Sequence, residues 1–82
     1  MTKELEPDIR RLIERMDEQK VSTLIIENWM DDNYDKISDF RNVCMFVERK
    51  DLCKPPKTIL QIAESDVVQA NKVFRNLWTI FD

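Results

Sequence analysis

Apolar residues recur at intervals of three and four along most of the chain, which is the spacing of one face of an α-helix. The first such stripe lies in residues 5–19 and consists of Leu5, Ile9, Leu12, Ile13 and Met16. Pro7 falls in the first turn, where its missing N–H costs no hydrogen bond. The pattern predicts a first helix over residues 5–19.

Two further helices are predicted before residue 52. Residues 21–31 form the second, with Ser22 or Thr23 as its N-cap, although this segment is also rich in strand-forming residues. The third covers residues 33–51 and begins with Asn33 as its N-cap. Its apolar stripe has further apolar residues on both flanks, so we expect this helix to be central and the most buried. The stripe consists of Tyr34, Ile37, Phe40, Cys44 and Val47.

Adjacent prolines at positions 55 and 56 force an extended segment after the third helix. Thr58 and Gln61 then match a capping box, which predicts a short helix through Glu64. A last helix, capped by Ser65 or Asp66, is predicted to reach the C-terminus. Its apolar stripe consists of Val67, Ala70, Phe74, Leu77, Trp78 and Phe81. The predicted fold is therefore all-α: one domain, residues 1–82, built as a compact bundle of four or five short antiparallel helices.

The composition argues against catalysis, because the 82 residues include no glycine and no histidine. Without glycine there is no glycine-rich loop for phosphate groups. Without histidine, the residue most often used for proton transfer near neutral pH and for metal ligation is missing. We therefore expect a protein that is not an enzyme and uses no cofactor.

The densest group of acids, residues 31–35, invites comparison with a calcium-binding loop. Asp31, Asn33 and Asp35 would take the first, third and fifth positions. Lys36, however, stands where glycine must make the turn, and Asn42 stands where a bidentate glutamate must close the site. We expect a polar junction between helices and no metal site.

The same junction is the best candidate for a binding surface. A tryptophan, a methionine and a tyrosine lie beside the acids, and these residue types are favoured at interfaces, although burial of Trp29 in the core is the somewhat stronger expectation. The candidate partner-binding residues are Trp29, Met30, Asp31, Asp32, Tyr34 and Asp35. An apolar patch with an acidic rim predicts an interaction module, acting as an adaptor, subunit or small inhibitor, whose protein partner has a basic surface.

Two alternatives remain open at this point. A local basic face formed by Arg10, Arg11, Arg15 and Lys72 would suit a nucleic-acid-associated helical module, although the net charge of −3 disfavours it. An exposed part of the last helix could instead pair with a second copy of the chain. Binding that falls steeply with added salt would favour nucleic acid, and mass that rises with concentration would favour self-association.

No membrane partner is expected, since no apolar run approaches the roughly 20 residues that span a bilayer. The charged first twenty residues are unlike a secretory signal. Cys44 and Cys53 lie beside apolar residues and are interpreted as free thiols in a reducing compartment, with a single disulfide as the weaker alternative. These features predict an intracellular protein, either cytoplasmic or nuclear.

The interface hypothesis predicts the outcome of Trp29→Ala. If Trp29 contacts the partner, the variant binds the partner more weakly while most of the helical circular dichroism signal is retained. If the variant simply unfolds, Trp29 belongs to the core and the proposed site is wrong.

Overall fold

The computed structural model describes residues 4–34, 40–51 and 57–78, and these form five α-helices and no β-strand. The helices are α1 (Pro7–Glu18), α2 (Thr23–Asp32), α3 (Phe40–Asp51), α4 (Ile59–Ser65) and α5 (Val67–Phe74), and a short 3-10 turn (Arg75–Leu77) follows. The predicted all-α bundle is confirmed. Residues 35–39, which the prediction assigned to the third helix, lie outside the described residues.

Among the described residues, the deepest burial is found in α1. Four of its side chains are completely inaccessible to solvent: Ile9, Leu12, Ile13 and Met16. The apolar residues of α3 are buried less completely, and Met45 is 37% exposed. For the described side chains, the expectation that the third helix is the most buried does not hold, while the side chains of Ile37 and Phe40 lie outside them. The narrow stripe of α1 faces the core as a whole, whereas the broader apolar set of α3 extends round to solvent.

The start of α1 is set by Pro7 and by a side chain from α5. Because a residue before proline favours extended backbone, Glu6 has ψ of 140° and the helix begins at Pro7, two residues later than predicted. Leu5 is buried nevertheless. Asn71 holds this segment: its Oδ1 accepts from the Glu6 N–H at 2.9 Å, and its Nδ2 donates to the Glu4 carbonyl at 3.0 Å.

The end of α1 is a Schellman motif formed without glycine. The Val21 N–H donates to the Met16 carbonyl at 3.0 Å, and the Lys20 N–H donates to the Asp17 carbonyl at 3.1 Å. Lys20 occupies the left-handed position, with φ of 52°. That conformation costs a non-glycine residue roughly 1 kcal/mol, so the motif carries local strain.

Asp17 joins the end of α1 to the start of α4. Its two carboxylate oxygens accept from the Ile59 N–H at 2.9 Å and the Leu60 N–H at 3.0 Å. These are two of the N–H groups that α4 cannot satisfy internally. The predicted capping box is also present, with Thr58 and Gln61 bonded to each other's backbone N–H. The backbone N–H groups in the first turn of α4 therefore find acceptors both in the capping box and in the Asp17 side chain of α1.

The boundaries of α2 confirm one predicted cap and correct another. The Ser22 hydroxyl accepts from the Ile25 N–H, which makes Ser22 the N-cap. Asn33 was predicted to open the third helix, but it closes α2 instead. Its backbone N–H and its side-chain Nδ2 both donate to the Trp29 carbonyl, each at 3.0 Å. An asparagine can cap either helix end, so its position in the sequence left the choice open.

A 3-10 turn interrupts the predicted last helix, and residues 79–82 lie outside the described residues. Asp66 caps α5 as expected, accepting from the Gln69 N–H. The helix ends at Phe74 and continues as the 3-10 turn, in which residues three apart are eclipsed. Phe74 and Leu77 are consequently both fully buried, and Phe74 meets Phe46 of α3 edge-to-face with ring centroids 5.9 Å apart. Trp78 is half-buried against the core, and Phe81 lies outside the described residues.

Within the described ranges, no helix has the length and apolar character required to cross a bilayer.

The strain at Lys20 predicts that Lys20→Gly stabilises the protein by about 1 kcal/mol, because glycine takes the left-handed conformation at no steric cost. Gln19→Gly is the matched control, since Gln19 has φ of −84° and gains no such relief. We expect that control to be neutral or destabilising by up to about 1 kcal/mol. Urea denaturation followed by circular dichroism measures both. Equal effects of the two variants would contradict the assignment.

Candidate functional site

The predicted partner-binding residues lie on the second half of α2 and just beyond it. Trp29 and Met30 are half-buried and pack against the core. Asp31 and Asp32 are exposed, and the Tyr34 side chain is 78% exposed. Asp35 lies outside the described residues. The structure therefore presents the acids and the tyrosine to solvent, while the tryptophan is shared between core and surface.

A groove of about 290 Å³ runs between α2 and α3. Its walls come from both helices, and we call it the α2–α3 groove. The described residues that line it are Glu27, Met30, Asp31, Arg41, Cys44, Met45 and Glu48. Two methionines and a thiol form its apolar part, and three carboxylates against one guanidinium give it an excess of negative charge.

Only some of the predicted partner-binding residues line the groove. Met30 and Asp31 line it, whereas Trp29 and Asp32 do not. In an α-helix successive residues are turned by about 100°, so neighbours in the sequence point to different sides. The acidic cluster is therefore split between two surfaces of α2, with Asp31 facing the groove.

Sequence reasoning missed the α3 wall of the groove. Arg41, Met45 and Glu48 are exposed residues at spacings of four and three, so they share one outward row of α3. Met45 is the apolar member of that otherwise charged row. The sequence did contain a signal for this surface, because Met45 is an apolar residue on the polar face of a predicted helix. The longer apolar stripe beside it was the more prominent pattern.

Another exposed apolar residue of α2 lies nearer the start of the helix. Leu24, Glu27 and Asp31 are spaced by three and four, so they share one row of the helix. Leu24 is 66% exposed and lines a second depression of about 400 Å³, in which Val47 of α3 also takes part. Since Val47 is near the end of α3 and Arg41 near its start, the two helices run antiparallel beside this row. One end of the row is aliphatic and the other is acidic.

The acids of α2 are placed against the helix dipole. Asp31 and Asp32 occupy the last turn, which has no basic residue. The C-terminal end of a helix carries partial negative charge, so each carboxylate there costs roughly 0.3–1 kcal/mol at low ionic strength. Helix stability alone does not account for these residues.

Cys44 lies in the groove wall with its thiol held neutral. Burial, together with the negative charges of Glu27 and Glu48, raises the pKa of Cys44 from 9.0 to about 11. The side chain is 7% exposed. A thiol with so high a pKa is a poor nucleophile near neutral pH, since the thiolate is the reactive form.

The acidic turn does not take the form of a metal-binding loop in the described part of the chain. Asp31 and Asp32 belong to the helix itself, and Asn33 uses its side-chain amide to close it. No group of three or more His, Cys, Asp or Glu side chains suited to a metal ion occurs among residues 4–34, 40–51 and 57–78.

The alternative basic residues are interleaved with acids. Arg10 forms ion pairs with Glu64 at 3.1 Å and with Glu14 at 3.7 Å. Arg11 and Lys72 are exposed, and Arg15 is half-buried. Because Arg10 is already paired with two carboxylates, its charge is less available to a phosphate backbone than its position in the sequence implied.

Comparison with known proteins adds no relative: no family model, curated protein or solved structure matches the chain.

The raised pKa predicts that Cys44 resists alkylation. At pH 8 a group with a pKa of about 11 has about a hundredfold less thiolate than one with a pKa of 9.0, so alkylation is expected to be correspondingly slow. Because the folded-state pKa is the higher one, ionisation of Cys44 lowers stability as pH rises between 9 and 11.

The measurement is the rate of iodoacetamide labelling of Cys53→Ser, followed by mass spectrometry in buffer and in denaturing urea. The variant leaves Cys44 as its one thiol. Equal rates at pH 8 in the two conditions would contradict burial of Cys44.

Proposed function

We propose that this chain is a non-enzymatic interaction module, an adaptor, subunit or small inhibitor, that binds another protein on the surface formed by α2 and α3. Binding buries exposed apolar side chains of this surface, and the acids around them select a partner with a basic surface. The proposal requires no cofactor. The free, buried thiol of Cys44 is consistent with work inside the cell, where thiols stay reduced.

The observation that carries the proposal is the poor burial of α2. Ile26 is its only fully buried residue, whereas Leu24 and Ile25 are 66% and 37% exposed. Among the described residues, four of the five large exposed apolar side chains lie on α2, just after it, or on α3: Leu24, Ile25, Tyr34 and Met45. Exposed apolar side chains are typical of interaction sites when they gather on neighbouring elements, and α2 and α3 are packed side by side.

The charge around these side chains supports a basic partner. Glu27, Asp31 and Glu48 border the apolar part of the groove, and Arg41 is the one cation lining it among the described residues. Complementary charge raises association rates and rejects partners of like charge. The apolar residues would then supply most of the affinity, because rim charges in water contribute little.

Leu24→Ser is expected to weaken partner capture by about tenfold or more, since it removes an exposed anchor worth roughly 1.5–3 kcal/mol when fully buried. Val68→Ser is the matched control, because Val68 is 54% exposed on α5 and does not line the groove. Both changes replace an exposed aliphatic side chain, so neither is expected to unfold the protein. The measurement is quantitative capture of a single defined partner by tagged wild type and both variants.

The controls separate the alternative functions. Capture is repeated after nuclease treatment and at two salt concentrations, and the mass of the chain alone is measured by light scattering across concentration. Loss of capture with nuclease would favour a nucleic-acid partner and contradict the proposal. A greater effect of Val68→Ser than of Leu24→Ser, with mass that rises with concentration, would favour self-association through α5.

A further inference from the structure

The size of the α2–α3 groove limits what it can hold. Its volume of about 290 Å³ is just below the range for small-molecule sites, which is roughly 300–1,000 Å³. It is also open along the seam between two antiparallel helices. A groove of this kind suits one or two anchoring side chains from an elongated segment better than an enclosed metabolite.

The apolar part of the groove is adaptable. Met30 is half-buried and Met45 is 37% exposed, and each lines the groove from a different helix. Methionine side chains are unbranched and polarisable, so they adjust to apolar side chains of different shape. A partner that inserts a leucine, isoleucine or phenylalanine here would meet methionine on both sides.

The spacing of the acids fits a helical occupant. Glu27 and Asp31 lie four residues apart on α2, which places them about 6 Å apart along the helix axis. A second helix lying along the groove would present cations three or four residues apart at about the same interval. Glu48 offers a third carboxylate from the opposite wall.

We propose that the α2–α3 groove binds a basic amphipathic helix of a partner protein. One apolar side chain of that helix inserts between Met30 and Met45, and its lysines or arginines, one turn to either side, face Glu27, Asp31 and Glu48. This inference rests on the proposed function and specifies the partner's chemistry. A second copy of this chain is a poor occupant, because its net charge is −3.

The test uses three synthetic peptides of about 18 residues, or five helical turns. The first combines leucine and lysine in an amphipathic helical pattern, the second replaces every lysine by glutamate, and the third scrambles the first. Fluorescence anisotropy measures their binding to wild type at low and moderate salt. We expect the first peptide to bind at least about tenfold more tightly than either of the others.

Paired variants locate the binding site. Glu27→Gln with Glu48→Gln is expected to weaken binding of the first peptide by about tenfold at low salt. Glu14→Gln with Glu18→Gln makes the same charge change at exposed positions on α1 and is expected to alter binding by less than about twofold. Met45→Ala should weaken binding by about fivefold at both salt concentrations, since an apolar contact is not screened. Circular dichroism checks that each variant is folded.

Each outcome decides the inference. Equal losses in the two glutamate pairs would indicate attraction to overall charge and overturn it, as would equal binding of the scrambled peptide or no binding of the first peptide. The proposed function fails separately. If the partner is captured through Leu24 but the first peptide does not compete with it, the proposed interaction module is supported and the proposal of a basic helical partner is wrong. If the peptide binds as expected but no protein is captured, the groove's preference for basic helices is supported and the proposed cellular function is wrong.

Discussion

The carboxylate of Asp17 is the interaction that joins the two halves of this fold. It accepts hydrogen bonds from Ile59 and Leu60, more than forty residues away, and so fixes the start of α4 against the end of α1. Asn71 does the same at the other end, where it bonds the backbone of Glu4 and Glu6 to α5. With α1 anchored at both ends, its fully buried stripe is held in place within the hydrophobic core.

Side chains cap the N-termini of three helices. These caps act over three residues, so Ser22, Thr58 and Asp66 were among the caps predicted from the sequence. The strained left-handed Lys20 was not, because nothing local distinguishes it from any exposed lysine. Nor was Asn71, whose partners lie at the other end of the chain. Local chemistry was predictable, and long-range bonds were not.

The same limit applies to the candidate site. Met30 and Asp31 were predicted from a local cluster of interface-type residues, and both line the groove. The opposite wall depends on how α3 aligns beside α2, which the packing of buried residues decides. Periodicity places Met45 on a helix, but it does not say which side chain of α2 it faces. For a site between two helices, the sequence therefore predicted residues on one helix but not the residues that face them on the other.

The α2 helix combines features that do not favour its own stability. It exposes two aliphatic side chains at one end and carries two acids at the end where the helix dipole disfavours them. Local choices in a well-folded chain normally agree with the fold, and disagreement is concentrated at functional sites. A cationic, apolar partner would reverse both costs at once, because it buries the aliphatic groups and neutralises the acids. Leu24 would then contribute affinity, while Asp31 and Glu27 would set the rate of encounter and the choice of partner.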